Sequence, residues 1–235
     1  MKYYRTDSRK ISFREYWNIS RGGRFPFAAL YKILGIPLKL TEGIPEPQPL
    51  RDRLIEAAAI PRRALEKLDP AILEFRELGF DQFWFSTQKD SMMIGSGYAV
   101  QTLHSSHLAI GKIISASYRT RENFVLAFFS RFKDGTILAT TDKEPAFRVL
   151  PGYVVQRLPR GTGARRLWEL HQKKLAAPRG DIPPDTFANF DQVAAFDDET
   201  VRAMYEDKIR RRIWVEMTEA EVAALRSKRQ PPLPV

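Results

Sequence analysis

Between Gly79 and Asp142 the chain carries successive runs rich in Val, Ile, Phe, Tyr and Thr, and the last two meet at Asp134-Gly135. Asp-Gly between β-rich runs is a strong hairpin signal, because a two-residue type I′ loop needs positive φ at both central positions. Such a loop pairs Lys133 with Thr136, Phe132 with Ile137 and Ser130 with Ala139. Side chains on a strand alternate with a period of two. One face then carries Phe124, Leu126, Phe128, Ser130, Phe132, Ile137, Ala139 and Thr141. The other carries Val125, Ala127, Phe129, Arg131, Leu138 and Thr140. The first is a core face. The second is too apolar to be simply wet and calls for a helix, a partner or a ligand over part of it.

Strand patterns fall at residues 82–87, 97–103, 107–119, 123–133 and 136–141, with a sixth at 153–158. Short polar connections such as His104-Ser105-Ser106-His107 favour an antiparallel meander. Ahead of it, Leu50–Ala59 reads as a short helix. Asp69 and Pro70 then read as the cap and first residue of another, with Gly79 just past its end and Leu68, Ile72, Phe75 and Leu78 as its buried stripe. Helices also follow at 164–175, from Asp197 or Asp198 to about Ile213, and after a Thr218–Glu221 capping box. The expectation is an α+β fold: an antiparallel five- or six-stranded meander with helices mainly on one face. Residues 1–48 form a basic aromatic arm ending in a Pro-rich linker, 49–180 the core domain, and 181–235 an acidic helical segment packing on it.

The absence of cysteine removes disulfides, thiolate metal sites and thiol nucleophiles, and fits a cytoplasmic location. Lys and Arg exceed Asp and Glu, giving net charge +10. The excess is uneven: residues 1–48 carry +5, residues 80–180 carry +8, and residues 181–235 carry −3. A solvated basic surface is the ordinary reading. Contact with an anionic ligand, nucleic acid or an anionic membrane surface is the functional one. No stretch is apolar enough to span a bilayer. Phe25 to Leu40, behind Arg21 and Arg24, comes nearest and reads as a docked segment or, with Phe25, Phe27 and Tyr31, as a peripheral membrane contact.

The electrostatic oddity is Pro159-Arg160-Gly161-Thr162-Gly163-Ala164-Arg165-Arg166, between a strand and a helix. A helix N-terminus presents unpaired N–H groups and positive partial charge. Three arginines crowd it, with no acid before Glu169. A bound phosphate or carboxylate would make that arrangement favourable. Arg160, Thr162, Gly163, Arg165 and Arg166 are therefore candidate anion-binding residues, with Arg131 a further candidate outside this stretch. Against this, glycines in strand-to-helix turns are commonplace, and exposed arginines often only meet water or surface acids. His104 and His107 have a spacing that metal ligands use, but no third ligand is near, so neither a metal nor a cofactor is expected. His171 lies on the apolar stripe of its helix, where a hydrogen-bonded core histidine is commoner than a general base. Gly95-Ser96-Gly97 lacks the five-residue nucleophile elbow.

From Leu78-Gly79-Phe80, through Ser130-Arg131-Phe132-Lys133-Asp134-Gly135, to Leu167 and His171, the chain resembles uncharacterised bacterial proteins. These share a Gly-Phe lead into the sheet, a Ser-x-Phe-x-Asp-Gly hairpin and a following Leu/His helix. The resemblance spans residues 78–175 and carries no activity with it. The functional expectation is a non-enzymatic binding protein whose basic surface engages an anionic partner. The alternatives are a small-molecule-binding or hydrolytic enzyme with a pocket between sheet and helices, and a scaffold or homo-oligomeric assembly subunit.

Overall fold

A computed structural model describes residues 1–20, 25–36, 38, 42–91, 95–118, 121–143, 147–177 and 182–229. The strands are β1 (Tyr3–Thr6), β2 (Glu42–Pro45), β3 (Leu54–Ile55), β4 (Phe80–Ser91), β5 (Gly95–His104), β6 (Ile110–Tyr118), β7 (Arg121–Arg131), β8 (Ile137–Thr141), β9 (Tyr153–Arg157) and β10 (Trp214–Glu216). The helices are α1 (Phe13–Ser20), α2 (Phe25–Ile33), α3 (Arg62–Glu77), α4 (Ala164–Leu175), α5 (Phe190–Arg210) and α6 (Glu219–Arg229). The chain divides into two compact units. One contains residues 1–47, 146–148 and 201–235; the other contains 48–145 and 149–200.

The larger unit is built on a seven-stranded sheet in the order β3-β4-β5-β6-β7-β8-β9. The expected meander is present from β4 to β8, all antiparallel. One addition takes the strand number beyond the five or six expected: Leu54 and Ile55, read from sequence as helix, pair with β4 as an edge. At the other edge the expected sixth strand is β9, which runs parallel and not antiparallel to β8.

The Asp134-Gly135 hairpin forms with a different register. Phe132 N donates to Thr136 O and Gly135 N to Phe132 O, so the loop is Lys133–Gly135 and Gly135 takes φ +81°. This three-residue loop, a turn followed by a left-handed glycine, is the next commonest hairpin solution after the two-residue one. The Asp134 carboxylate reinforces it by accepting from the N–H and the hydroxyl of Thr136. Ser130 now faces Leu138 and Phe128 faces Thr140. A one-residue shift moves every β8 side chain to the opposite face. Leu138 and Thr140 therefore join Phe128 and Ser130, while Ile137 and Ala139 join Phe129 and Arg131.

Helices cover both faces, not mainly one. On the first, Leu68, Ala71, Ile72 and Phe75 of α3 and Leu167 and Trp168 of α4 pack with Val100, Ile113, Leu126 and Phe128. On the second, Phe187 with Val193 and Phe196 of α5 packs with Leu103, Ile110 and Ile137. α3 begins at Arg62 and holds Pro70 in its interior instead of at its start. Proline costs a helix one N–H bond, and the continuous buried stripe on both sides of Pro70 outweighs it. Gly79 ends the helix at φ +92° as its sequence position indicates. α5 likewise starts earlier than Asp197. Asn189 caps it by accepting from Gln192 N, which frees Asp197 and Asp198 for other contacts.

The smaller unit holds a sheet in the order β10-β1-β2. Part of the Pro-rich stretch is therefore a strand: Tyr4 faces Ile44 on one side and Glu216 on the other. Tyr205 and Trp214 meet edge to face at 4.6 Å, with Tyr4 beside both. Ser12 and Glu15 cap α1 reciprocally, and Thr218 and Glu221 form the expected capping box of α6. The C-terminal residues 230–235 lie outside the described residues.

Two glycines separate backbone strain from packing. A Cβ on Gly111 would sit 2.4 Å from a Phe75 ring carbon and 2.6 Å from the Thr102 methyl, whereas one on Gly135 would meet nothing within 4 Å. Gly111→Ala should therefore cost about 1–3 kcal/mol or more through overpacking, and Gly135→Ala about 1–2 kcal/mol through its left-handed φ alone. Urea unfolding of the two variants checks this. A Gly111→Ala protein as stable as the parent would contradict the packing described.

Candidate functional site

The arginine loop is present as expected, with Gly163 as the residue that opens α4. Its positive ends are answered from within the chain. The Glu74 carboxylate of α3 accepts from Arg165 N at 2.8 Å, and would lie 3.2 Å from a Cβ on Gly163. It occupies the position at the α4 N-terminus where a bound anion would act. Arg165 also pairs with Glu77, and Arg166 with Glu169 one turn on. Arg160 donates to the Glu122 carbonyl, while the Thr162 hydroxyl turns back to Pro159 O. Arg131 lies elsewhere, paired with Asp185 and Glu199 and lying over the Phe187 ring. The loop gathers five of the six predicted anion-binding residues; α3 supplies the counter-charge at Arg165, and Glu169 of α4 that at Arg166. Helix packing, which the local sequence does not report, brings Glu74 and Glu77 there.

The histidines serve the fold. His104 Nδ1 accepts from Ser106 N, so Nε2 carries the proton and donates to Leu78 O. Burial lowers its pKa, which suits this neutral form. His107 sits at φ 61°, and its Nδ1 donates to Phe187 O while Phe187 N donates to His107 O. Among the described residues no cluster of three or more His, Asp or Glu has the placement of a metal site.

His171 is fully buried and completes a proton chain across β7, β8 and α4. Ser130 donates to Leu108 O at 2.6 Å, so its oxygen accepts from His171 Nε2–H at 3.0 Å. Nδ1 is then the acceptor for the Thr140 hydroxyl at 2.9 Å. Burial pulls the imidazole pKa down to about 3. A ring that donates to the serine cannot also be its base, so this is a satisfied core network and not a nucleophile pair. Thr140 reaches it only because of the register shift in the hairpin.

A second charged network lies in the smaller unit. Glu15 accepts from Arg211 and from Arg148 N, and Asp207 accepts from Arg148, Arg210 and Arg211. Burial acts to raise both carboxylates, but these guanidinium and N–H donors override it and bring each to about 2. Lys208 Nζ rests 4.4 Å above the Phe147 ring. Every carboxylate here has its partners.

What remains unexplained by the fold is the surface of α1 and α2. The helices pair antiparallel. Trp17 near the end of α1 meets Phe25 at the start of α2, edge on, at 5.1 Å. Lys32 near the end of α2 donates to Arg9 O and lies over the Phe13 and Tyr16 rings. Around this pair Phe13, Trp17, Phe27, Leu30, Tyr31, Ile33, Leu34 and Ile36 are exposed, Phe27 and Ile33 at 70% and 72%. Single exposed apolar residues are ordinary; a contiguous group marks an interaction surface. The aromatic residues were legible in the sequence. The exposure of the aliphatic ones was not, because α2 is apolar all round and reads as a buried segment. Comparison with protein-family models, curated proteins and solved structures finds no match for this chain.

The buried imidazole has a pH consequence. The unfolded chain binds a proton near the ordinary value of 6.5, whereas folded His171 resists it until about 3. Stability therefore falls as pH drops through this window, by up to about 1.4 kcal/mol per pH unit. Glu15 and Asp207, lowered to about 2, add a loss that begins only below the ordinary carboxylate values of 4.5 and 3.8. Urea unfolding at pH 7.5 and pH 5 should show the decline, and His171→Phe should flatten it above pH 4.5. The same variant should be about 1–3 kcal/mol less stable at pH 7.5, since Thr140 loses its acceptor. A parent protein equally stable at both pH values would refute the assignment.

Proposed function

We propose that the protein docks peripherally on an anionic lipid surface through the α1–α2 pair. The observation that carries this reading is the group of eight exposed large apolar side chains on two adjacent short helices and the turn that follows α2. Their setting is basic: residues 1–48 hold nine Lys and Arg against four Asp and Glu. Two of those acids are already paired within the chain, Asp7 with Arg9 at the surface and Glu15, buried, with Arg211. Lys10 and Arg14 are exposed nearby, and α2 contains no carboxylate.

The mixture favours lipid over nucleic acid. Aromatic rings stack on bases and cations meet phosphates in either case. Leu30, Ile33, Leu34 and Ile36 have no such use, and gain from leaving water for the acyl boundary. A large apolar side chain fully removed from water gains about 1.5–3 kcal/mol, against about 1 kcal/mol for each Lys or Arg near an anionic leaflet. Insertion therefore supplies most of the affinity, and charge selects the surface. Among the described residues no helix is long and apolar enough to cross a membrane, which fits attachment at the interface.

Vesicle co-sedimentation tests this directly. The protein should pellet with phosphatidylserine-containing vesicles and much less with pure phosphatidylcholine, and raised salt should weaken the difference. Trp17 emission should shift to the blue on binding, a change absent from Trp17→Leu. Phe27→Asp with Ile33→Asp should lower partitioning at least about tenfold, the loss of two inserted side chains. Protein that stays in the supernatant with either vesicle would end the reading. So would a dimer at working concentration that the same double substitution dissociates, because a second copy would then be the occupant.

A further inference from the structure

α1 and α2 differ in what they present to solvent. Side chains on a helix turn by about 100° per residue, so Phe27, Leu30, Tyr31, Ile33 and Leu34 share one arc of about 160°. Leu34 N donates to Leu30 O, which carries the helical path one residue past Ile33. All five side chains are exposed, and no charged residue falls on their arc. Lys32, the one charged residue of α2, lies on the opposite side. It donates to Arg9 O at 2.7 Å and rests over the Phe13 and Tyr16 rings. Phe25, on that same side, meets Trp17.

α1 mixes the two kinds of group. Phe13 and Trp17 are exposed one turn apart, with Arg14 exposed beside them and Lys10 exposed just ahead of the helix. Charge is also concentrated around this pair. The unit that carries both helices holds 18 Lys and Arg against 9 Asp and Glu, whereas the other unit holds 20 against 19. Nearly all of the net charge of +10 thus belongs to the docking unit. Attraction of these cations to an anionic leaflet acts across the headgroup layer and follows its surface charge. Insertion of α2 follows something else. The helix is about 14 Å long and about 10 Å across, and its bulky arc enters only where headgroups part. With no cation on that arc to hold it at the surface, α2 depends on those openings, which widen as the outer leaflet curves.

We propose that α2 senses lipid packing, so that the protein selects strongly curved anionic membranes over flat ones of the same composition. Lys10 and Arg14 attract it to either surface, and the arc from Phe27 to Leu34 discriminates between them. Such selectivity presupposes the docking surface already proposed and names which membrane that surface takes. The two roles are separable, because the cations and the inserting arc sit on different elements of the pair.

The test is flotation of the full-length protein with phosphatidylserine-containing vesicles of one composition, about 30 nm and about 200 nm across, at equal outer-leaflet area. The parent protein should partition at least about fivefold more strongly onto the small vesicles. Leu30→Ser with Ile33→Ser should bring that ratio close to one. Its unfolding midpoint should match the parent's, because both side chains are exposed. Lys10→Gln with Arg14→Gln should weaken binding to both sizes by the same factor and leave the ratio unchanged. Equal partitioning of the parent onto both sizes overturns the packing-sensor assignment while leaving the membrane reading intact. Absence of binding to either size ends the membrane reading and the selectivity with it. A ratio that survives in the Leu30, Ile33 variant, or collapses in the Lys10, Arg14 variant, overturns the assignment of discrimination to α2.

Discussion

The left-handed backbone of Gly135 sets the register between β7 and β8, and much of the large unit's interior follows from it. One residue of slip reverses which β8 side chains face α4. With the three-residue loop, Thr140 comes beside Ser130 and both reach His171, so that a polar trio is closed inside an aromatic shell of Phe128 and Trp168. With the two-residue loop, Thr140 would emerge on the α5 face and the imidazole would lose the donor to Nδ1. Burying that ring without its partners would cost more than a turn of either type. The turn and the buried network therefore support the same register, a local and a long-range preference in agreement.

Charge is handled by a related rule. The chain is strongly basic, yet the arginine loop at the α4 N-terminus is answered by its own structure. Glu74 and Glu77 reach the α4 N-terminus from α3, and a fixed carboxylate there gains from the helix dipole and from N–H donors together. Sites that keep an unmet need are less conspicuous in sequence. The exposed apolar residues of α1 and α2 look like core until their surroundings are known.

The residues that spoke clearly in sequence were those whose chemistry is local. Gly79 ended a helix, Thr218 with Glu221 began one, and α4 ran from Ala164 to Leu175, because capping and apolar periodicity depend on neighbours within a few positions. Where two local solutions were close in energy, sequence chose the commoner one and packing the other. Pro70 lies inside α3, since burial of Leu68, Ala71, Ile72 and Phe75 continues through it. Asp197 is not a cap, because Lys112 and Arg53 offer it more than the helix start does. Of the candidate site residues, Arg165 and Arg166 lie in the first turn of α4 and His171 on its buried stripe, as their places in the sequence indicate. Ser130 and Thr140 gave no signal of the contact with His171, for hydroxyls are common everywhere.

The sequence by itself determined the alternation of β-rich runs into an antiparallel meander, the α+β class, the positions where helices must stop, and a basic arm dense in aromatic residues. These rest on period, capping and composition, which are properties of adjacent residues. Tertiary structure alone decided the hairpin register, which element covers the second sheet face, and the second sheet that joins β1 and β2 to β10. It also decided which charges are answered and which polar atoms are left waiting. The physical reason is desolvation: whether a group is satisfied depends on what the folded chain brings within about 3 Å of it, and residues distant in sequence supply most of those partners.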